Sequence, residues 1–180
     1  IPLGANIWDN TYGYSYAAHL HLSWLRLADV YLMYAEAAAQ GYGSPSGRSP
    51  NFSKNAIEAL NTIRERAGVG PIASKYTSSL DSFMDELIRE RAVELSFEGH
   101  RFNDLRRWLL LTEYPYNIKT RQHFDRAQPL DPKVDPKENK VLNFREEVIV
   151  ERNLTNKHYW LPLRTEDVSI YPEFYQNPGW

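Results

Sequence analysis

The chain has 180 residues with a formal net charge of −2, and 42% of its residues are hydrophobic, so its length and composition predict one ordinary globular domain. The near-neutral charge argues against a nucleic-acid-binding protein, whose surface should be basic, and a mean hydropathy of −0.58 argues against a membrane span. The chain contains no cysteine, which excludes disulfides and thiolate metal sites within it.

The first half of the chain is predicted to be helical. Residues 1–21 are rich in glycine, asparagine and aromatic residues, which indicates an irregular lead-in. Apolar residues then recur at three- and four-residue steps over 22–40, 53–67 and 80–111, the spacing of amphipathic helices. Glycine and proline separate these segments and end the first two helices. The pattern therefore predicts that residues 22–111 form helical hairpins.

The second half of the chain has a different composition. Seven of the 11 prolines lie from Pro115 onward, which disfavours long helices there. We expect residues 112–180 to form a loop-rich wrapping segment with little or no strand, apart from a possible short strand at 147–150. The predicted fold is thus an all-α single domain over 1–180, with helical hairpins followed by this loop-rich portion.

The most highly charged stretch lies around the end of the third predicted helix. Glu94 and Glu98 are one helical turn apart, so both carboxylates can face the same side. With His100 they form a candidate metal or acid–base site, but zinc sites usually combine several His or Cys ligands, and no second His is near. An interhelical salt-bridge network is favoured, because buried charges must be paired. The predicted network comprises Glu36, Arg91, Glu94, Glu98, Arg101 and Asp104.

Aromatic residues provide the second candidate site. Trp8, Tyr12 and Tyr14 alternate with small and polar residues in the lead-in, and such rings can stack on a sugar while their neighbours bind its hydroxyls. We nominate these three residues as ligand-binding residues. The alternative is that the rings only hold loops in place. A second set of the same kind comprises Tyr114, Tyr116, Asn117, Lys119, Arg121 and Gln122.

Four sequence motifs resemble those of one family, in the same order. They are LRLADVYLMYAEA at 25–37, ALNTIRERAG at 59–68, the segment from Arg89 to Trp108 with its ELSFEGHRF core, and an ending in YWLPL and YQNPGW. Together they resemble the C-terminal part of the SusD/RagB family. This chain has Leu-Pro-Leu where the family ending usually reads Ile-Pro, and its last residue is Trp180 rather than the commoner Tyr.

The resemblance implies a fold of tetratricopeptide-like helix pairs and a function without catalysis or cofactor. It implies a surface-exposed outer-membrane lipoprotein that binds glycans or other nutrients and delivers them to a SusC-like TonB-dependent transporter. The lipid anchor would belong to an N-terminal part outside this chain. The matching motifs correspond to helix packing, so no ligand-binding residue is carried over.

Two other functions remain open from the residues alone. A helical-repeat scaffold could bind a protein partner without any small-molecule ligand, because stacked helical hairpins offer extended binding surfaces. A metal-assisted hydrolase would use Glu94, Glu98 and His100. The sequence favours the nutrient-binding protein over both.

Overall fold

The computed structural model describes residues 24–129, 135 and 138–180. The chain divides into two compact units, a helical unit that ends at Arg101 and a ribbon unit that runs from Phe102 to Trp180. The single-domain expectation for 1–180 stays a prediction. The regular elements in these ranges are α1 (Leu27–Tyr42), α2 (Ala56–Arg66), α3 (Leu80–Glu94), α4 (His100–Arg107), β1 (Ile118–Arg126), β2 (Val141–Glu151) and α5 (Thr165–Val168), with short 3₁₀ turns at Ser74–Tyr76 and Asn156–Tyr159.

The helical unit is built around α1, which contacts both α2 and α3. The largest fully buried side chains are contributed by all three helices, as Leu32, Leu60, Phe83 and Leu87. Ala35 and Ala39 of α1 and Ala56 and Ala59 of α2 are also fully buried. Their small side chains permit close approach of the helix axes. The apolar stripes predicted from the sequence therefore form this core.

Local signals determine where the helices begin and end. Asn55 is the N-cap of α2, two residues after the predicted start at 53, because Asn55 and Glu58 exchange reciprocal hydrogen bonds of 2.9 and 2.8 Å in a capping box. Ser79 caps α3 through the backbone N–H of Ser82. Gly43 ends α1 in the left-handed conformation, which glycine adopts without strain.

The predicted all-α class with little or no strand is wrong for the C-terminal portion. β1 and β2 form a two-stranded antiparallel ribbon, and the short strand considered at 147–150 is the C-terminal part of the longer strand β2. The sequence obscured the ribbon because β1, IKTRQHFDR, is polar along most of its length and shows none of the apolar alternation of a half-buried strand. The tetratricopeptide-like detail of the helices stays a prediction.

The register of the ribbon shifts at two places, between Lys119 and Thr120 and between His123 and Asp125. Between the pairs His123–Arg145 and Asp125–Leu142, two β2 residues oppose one β1 residue, which is a β-bulge. Asn143 lies in this bulge with a φ of 52°, a left-handed conformation that asparagine tolerates better than most residues. Every residue of β2 is exposed, so both faces of the ribbon are accessible in this structure.

The two parts of the C-terminal motif lie against each other within the ribbon unit. The Gln176 side-chain amide donates to the Leu163 carbonyl at 2.8 Å and accepts from the Leu163 N–H at 2.7 Å. The indole N–H of Trp180 donates to the carbonyls of Lys157 and Trp160 at 3.0 and 2.9 Å. The tail is therefore held by backbone-directed hydrogen bonds. Within the described ranges, no helix has the length and hydropathy needed to cross a bilayer.

Candidate functional site

The carboxylates of Glu94 and Glu98 meet at Arg26, a residue that the sequence reasoning did not select. The Arg26 Nε donates to both Glu98 oxygens at 3.0 and 2.8 Å, and Nη1 donates to Glu94 Oε1 at 2.5 Å. Arg66 donates to both oxygens of Glu94 at 2.6 and 2.7 Å. We call these four residues the Arg26 cluster. The signal for it was present, since Arg26 is a cation set among apolar residues at the start of a helix.

The electrostatics of the Arg26 cluster are those of a permanent ion pair. The hydrogen bonds from Arg26 hold the pKa of Glu98 below its usual 4.5, against the opposing effect of burial. The same hydrogen bonds with Glu98 raise the pKa of Arg26. Glu98 therefore stays ionised and Arg26 stays protonated near neutral pH.

The other nominated members of the predicted network also make polar contacts. Arg91 and Asp29 form a fully buried pair at 2.7 Å, and Arg101 donates to the Ile88 carbonyl at 3.5 Å. Asp104 accepts from Arg107 at 2.9 Å within the ribbon unit. Glu36 is half-buried on α1. A single network of all six nominated residues stays a prediction.

The metal-site alternative has no support from the geometry around Glu94. Both carboxylates that it would use accept hydrogen bonds from guanidinium groups. In the part of the chain that the structure describes, no group of three or more His, Asp or Glu residues could hold a metal ion. The nominated ligand-binding residues Trp8, Tyr12 and Tyr14 lie outside the described residues.

One concave surface lies beside the start of the ribbon, and we call it the Tyr114 cleft. Its volume is about 480 Å³, and the Tyr114 side chain that borders it is 76% exposed. A turn places this ring, because the N–H groups of Tyr116 and Asn117 both donate to the Glu113 carbonyl. The lining residues are Tyr114, Pro115, Ile118, Thr120, Glu146 and Val148.

Strand pairing brings the polar groups of the Tyr114 cleft together. Thr120 pairs with Val148, and the next pair on the same ribbon face is Gln122 with Glu146, since alternate residues of a strand share a face. The cleft thus combines an exposed phenol ring with a hydroxyl and a carboxylate. Of the second aromatic set, Tyr114 borders this cleft, whereas Tyr116 and Asn117 are half-buried.

A second concave surface, which we call the polar cleft, lies farther along the ribbon. Its volume is about 530 Å³, and it is lined by Gln122, His123, Phe124, Asp125, Asn143 and Arg145. The Asn143 amide donates to Asp125 at 2.8 Å, and His123 Nε2 lies 2.8 Å from Glu147 Oε2. Sequence reasoning missed this cleft because it depends on β2 and its bulge.

Proteins with similar sequences are described as SusD-like. A SusD-like protein of Bacteroides ovatus is 38% identical over 85 residues, which is 47% of this chain and 13% of the relative. SusD-like protein P25 of Formosa agariphila is 32% identical over 126 residues, or 67% of this chain and 22% of that protein. The chain therefore spans less than a quarter of the length of either relative.

A solved structure shares the fold. The crystal structure of a SusD-like protein from Bacteroides fragilis matches with a TM-score of 0.63 at 23% identity, over 88% of this chain and 26% of that one. The SusD family model itself matches residues 9–180, nearly the whole chain. The chain belongs to the SusD family.

Proposed function

We propose that this chain is part of a non-catalytic nutrient-binding protein, whose ligand is a glycan, at the bacterial cell surface. Membership of the SusD family supports the binding of a glycan or another nutrient. In this proposal the protein is an outer-membrane lipoprotein that passes its ligand to a SusC-like TonB-dependent transporter. No covalent chemistry is required of any residue.

The observation that carries the proposal is the Tyr114 cleft. A sugar ring has an apolar C–H face and a polar rim, so its binding needs an accessible aromatic ring beside hydrogen-bonding groups. Tyr114 provides the ring, and Thr120 and Glu146 provide a hydroxyl and a carboxylate within the same cleft. The cleft is partly open to solvent, which suits a segment of a longer glycan chain.

The experiment is a calorimetric titration of the chain with a panel of oligosaccharides, using wild type, Tyr114→Ala and Tyr175→Ala. Tyr175 is the matched control, because its side chain is 79% exposed and it lines neither the Tyr114 cleft nor the polar cleft. Loss of an aromatic contact worth about 1 kcal/mol should weaken binding by about fivefold in Tyr114→Ala. Tyr175→Ala should bind like wild type.

Equal affinities of the two variants would remove Tyr114 from the site. Trp8→Ala is then the next variant to test, because Trp8, Tyr12 and Tyr14 remain proposed ligand-binding residues. Failure of every glycan in the panel to bind would contradict the carbohydrate proposal as a whole.

A protein-interaction scaffold is the second candidate function, and the surface of α1 favours it. Leu27, Val30 and Met33 are 67%, 42% and 43% exposed and recur at three-residue steps along the helix. Apolar residues that recur along one side of a helix are typical of a surface that packs on a partner. Met33→Lys should weaken binding to the purified transporter in an interferometry assay, whereas Tyr114→Ala should leave that binding unchanged.

A further inference from the structure

Resting on the proposed function, we infer that the polar cleft binds the anionic group of an acidic sugar, a carboxylate or a sulfate ester. The glycan that contacts Tyr114 would thus carry negative charge on a neighbouring residue. The inference follows from an imbalance between the cations and anions of the ribbon.

The anions in and beside the polar cleft already have hydrogen-bonding partners. Asp125 accepts from the Asn143 amide, and Glu147 is bonded to the His123 ring, each at 2.8 Å. Each of these carboxylates therefore already has a hydrogen-bonding partner on the same ribbon.

The cations of the same region have no such partners. Among the described residues, no hydrogen bond or ion pair is formed by the guanidinium of Arg145, which lines the polar cleft. The guanidinium of Arg121 likewise forms no hydrogen bond or ion pair among the described residues. The strand register places Arg121 on the same ribbon face as His123, Arg145 and Glu147. A planar guanidinium matches the two-oxygen geometry of a carboxylate or sulfate, so an anion is the ligand that this surface lacks.

The two clefts adjoin along the ribbon. Gln122 lines the polar cleft and pairs directly with Glu146, which lines the Tyr114 cleft. Side chains of directly opposed strand residues lie about 5 Å apart at Cβ, so a glycan in the Tyr114 cleft can extend to Gln122. Arg145 projects to the other ribbon face, so the same glycan would reach it around the exposed edge of β2. The carboxylate of Glu146 repels an anion from the Tyr114 cleft. The charged group of the glycan is therefore directed to Arg145, which orients the ligand.

Glycan arrays with matched members test the inference. The probes are pairs of oligosaccharides with one backbone, such as oligogalacturonates beside neutral galacto-oligosaccharides, and sulfated oligosaccharides beside their desulfated forms. Wild type should prefer the anionic member by about tenfold, the effect of one hydrogen-bonded charge, and this preference should decrease with added salt. The carboxylated and sulfated arms identify which anion is bound.

Three variants locate the preference. Arg145→Gln should remove it by lowering the affinity for the anionic member about tenfold, and Arg145→Lys should retain part of it, since charge remains without the planar fork. Arg164→Gln is the control, because it makes the same charge change at an exposed arginine that lines neither cleft. Circular dichroism checks that each variant is folded.

The outcomes separate this inference from the proposed function. Equal affinity of wild type for both members of a pair, or an anionic preference that persists in Arg145→Gln, overturns the inference. Binding of neutral glycans through Tyr114 would then still support the proposed function. Absence of binding to all glycans overturns both.

Discussion

The start of α1 depends on the Arg26 cluster, and replacing Arg26 tests this dependence. Arg26 is the N-cap residue of α1, in extended conformation, and its carbonyl accepts the N–H of Asp29 at 2.9 Å. Its guanidinium bonds Glu98 and Glu94, which lie more than 60 positions later in the chain. Arg26→Met keeps most of the apolar stem and removes the charge, so it isolates these ionic contacts.

The expected cost follows from the burial of the cluster. The side chains of Arg26 and Glu98 are each 25% exposed, and that of Glu94 is 10% exposed. Breaking a fully buried pair costs about 3–5 kcal/mol, whereas an exposed pair contributes at most about 1 kcal/mol. We therefore expect Arg26→Met to lower the free energy of unfolding by about 2–3 kcal/mol.

Arg66→Met is the matched control for this prediction. Arg66 bonds the same Glu94 carboxylate, but its side chain is 62% exposed, so its loss should cost less than about 1 kcal/mol. Urea denaturation of wild type and both variants, followed by far-UV circular dichroism, measures the two costs. If Arg66→Met is as destabilising as Arg26→Met, the argument that the more buried ion pair contributes more stability is refuted.

Three further predictions concern pH, close packing and capping. The pKa of Glu98 is below 4.5 in the folded state, so the carboxylate contributes its full stabilisation above pH 4.5 and loses it as the pH falls through the lower folded-state pKa. The free energy of unfolding should therefore decrease less on acidification in Arg26→Met than in wild type. A methyl group on Gly47 would overlap a backbone carbonyl of α1, whereas one on Gly70 meets nothing within 4 Å, so Gly47→Ala should destabilise by about 1–3 kcal/mol and Gly70→Ala by less than about 0.5 kcal/mol, as measured by thermal unfolding. Asn55→Ala should cost about 1 kcal/mol through loss of the capping box, and an unchanged denaturation midpoint would contradict this.

The helical core could be predicted from the sequence because the signal is local. Leu32, Ala35 and Ala39 recur at helical spacing, and all three are fully buried. Apolar residues at this spacing lie on one side of a helix, and that side is buried whichever element packs against it. The end of α1 was predicted to within two residues, since the left-handed Gly43 is a strictly local requirement.

The partners of the charged residues could not be predicted in the same way. The sequence predicted that Glu94 and Glu98 share one helix face, but α3 ends at Glu94 and Glu98 lies in the turn that follows. Arg26 joins the two carboxylates through its own hydrogen bonds, and it reaches them through the packing of α1 on α3. The same holds for Arg91, whose buried partner Asp29 lies 62 positions away in sequence. The sequence shows that each buried carboxylate requires a cationic partner, but it does not show which arginine or lysine lies close enough to pair with it.

The ribbon was the larger omission, and its cause also explains why the ribbon can bind a ligand. A strand is recognised in sequence when one face is apolar and buried, whereas every residue of β2 is exposed. The exposure that hid the ribbon from pattern analysis leaves Glu146 and Arg145 accessible on successive positions of one strand, and strand alternation points them to opposite faces. A surface that presents an anion and a cation in this way can distinguish charged from neutral residues of a glycan. The Arg145 variants measure this preference for the anionic glycan directly.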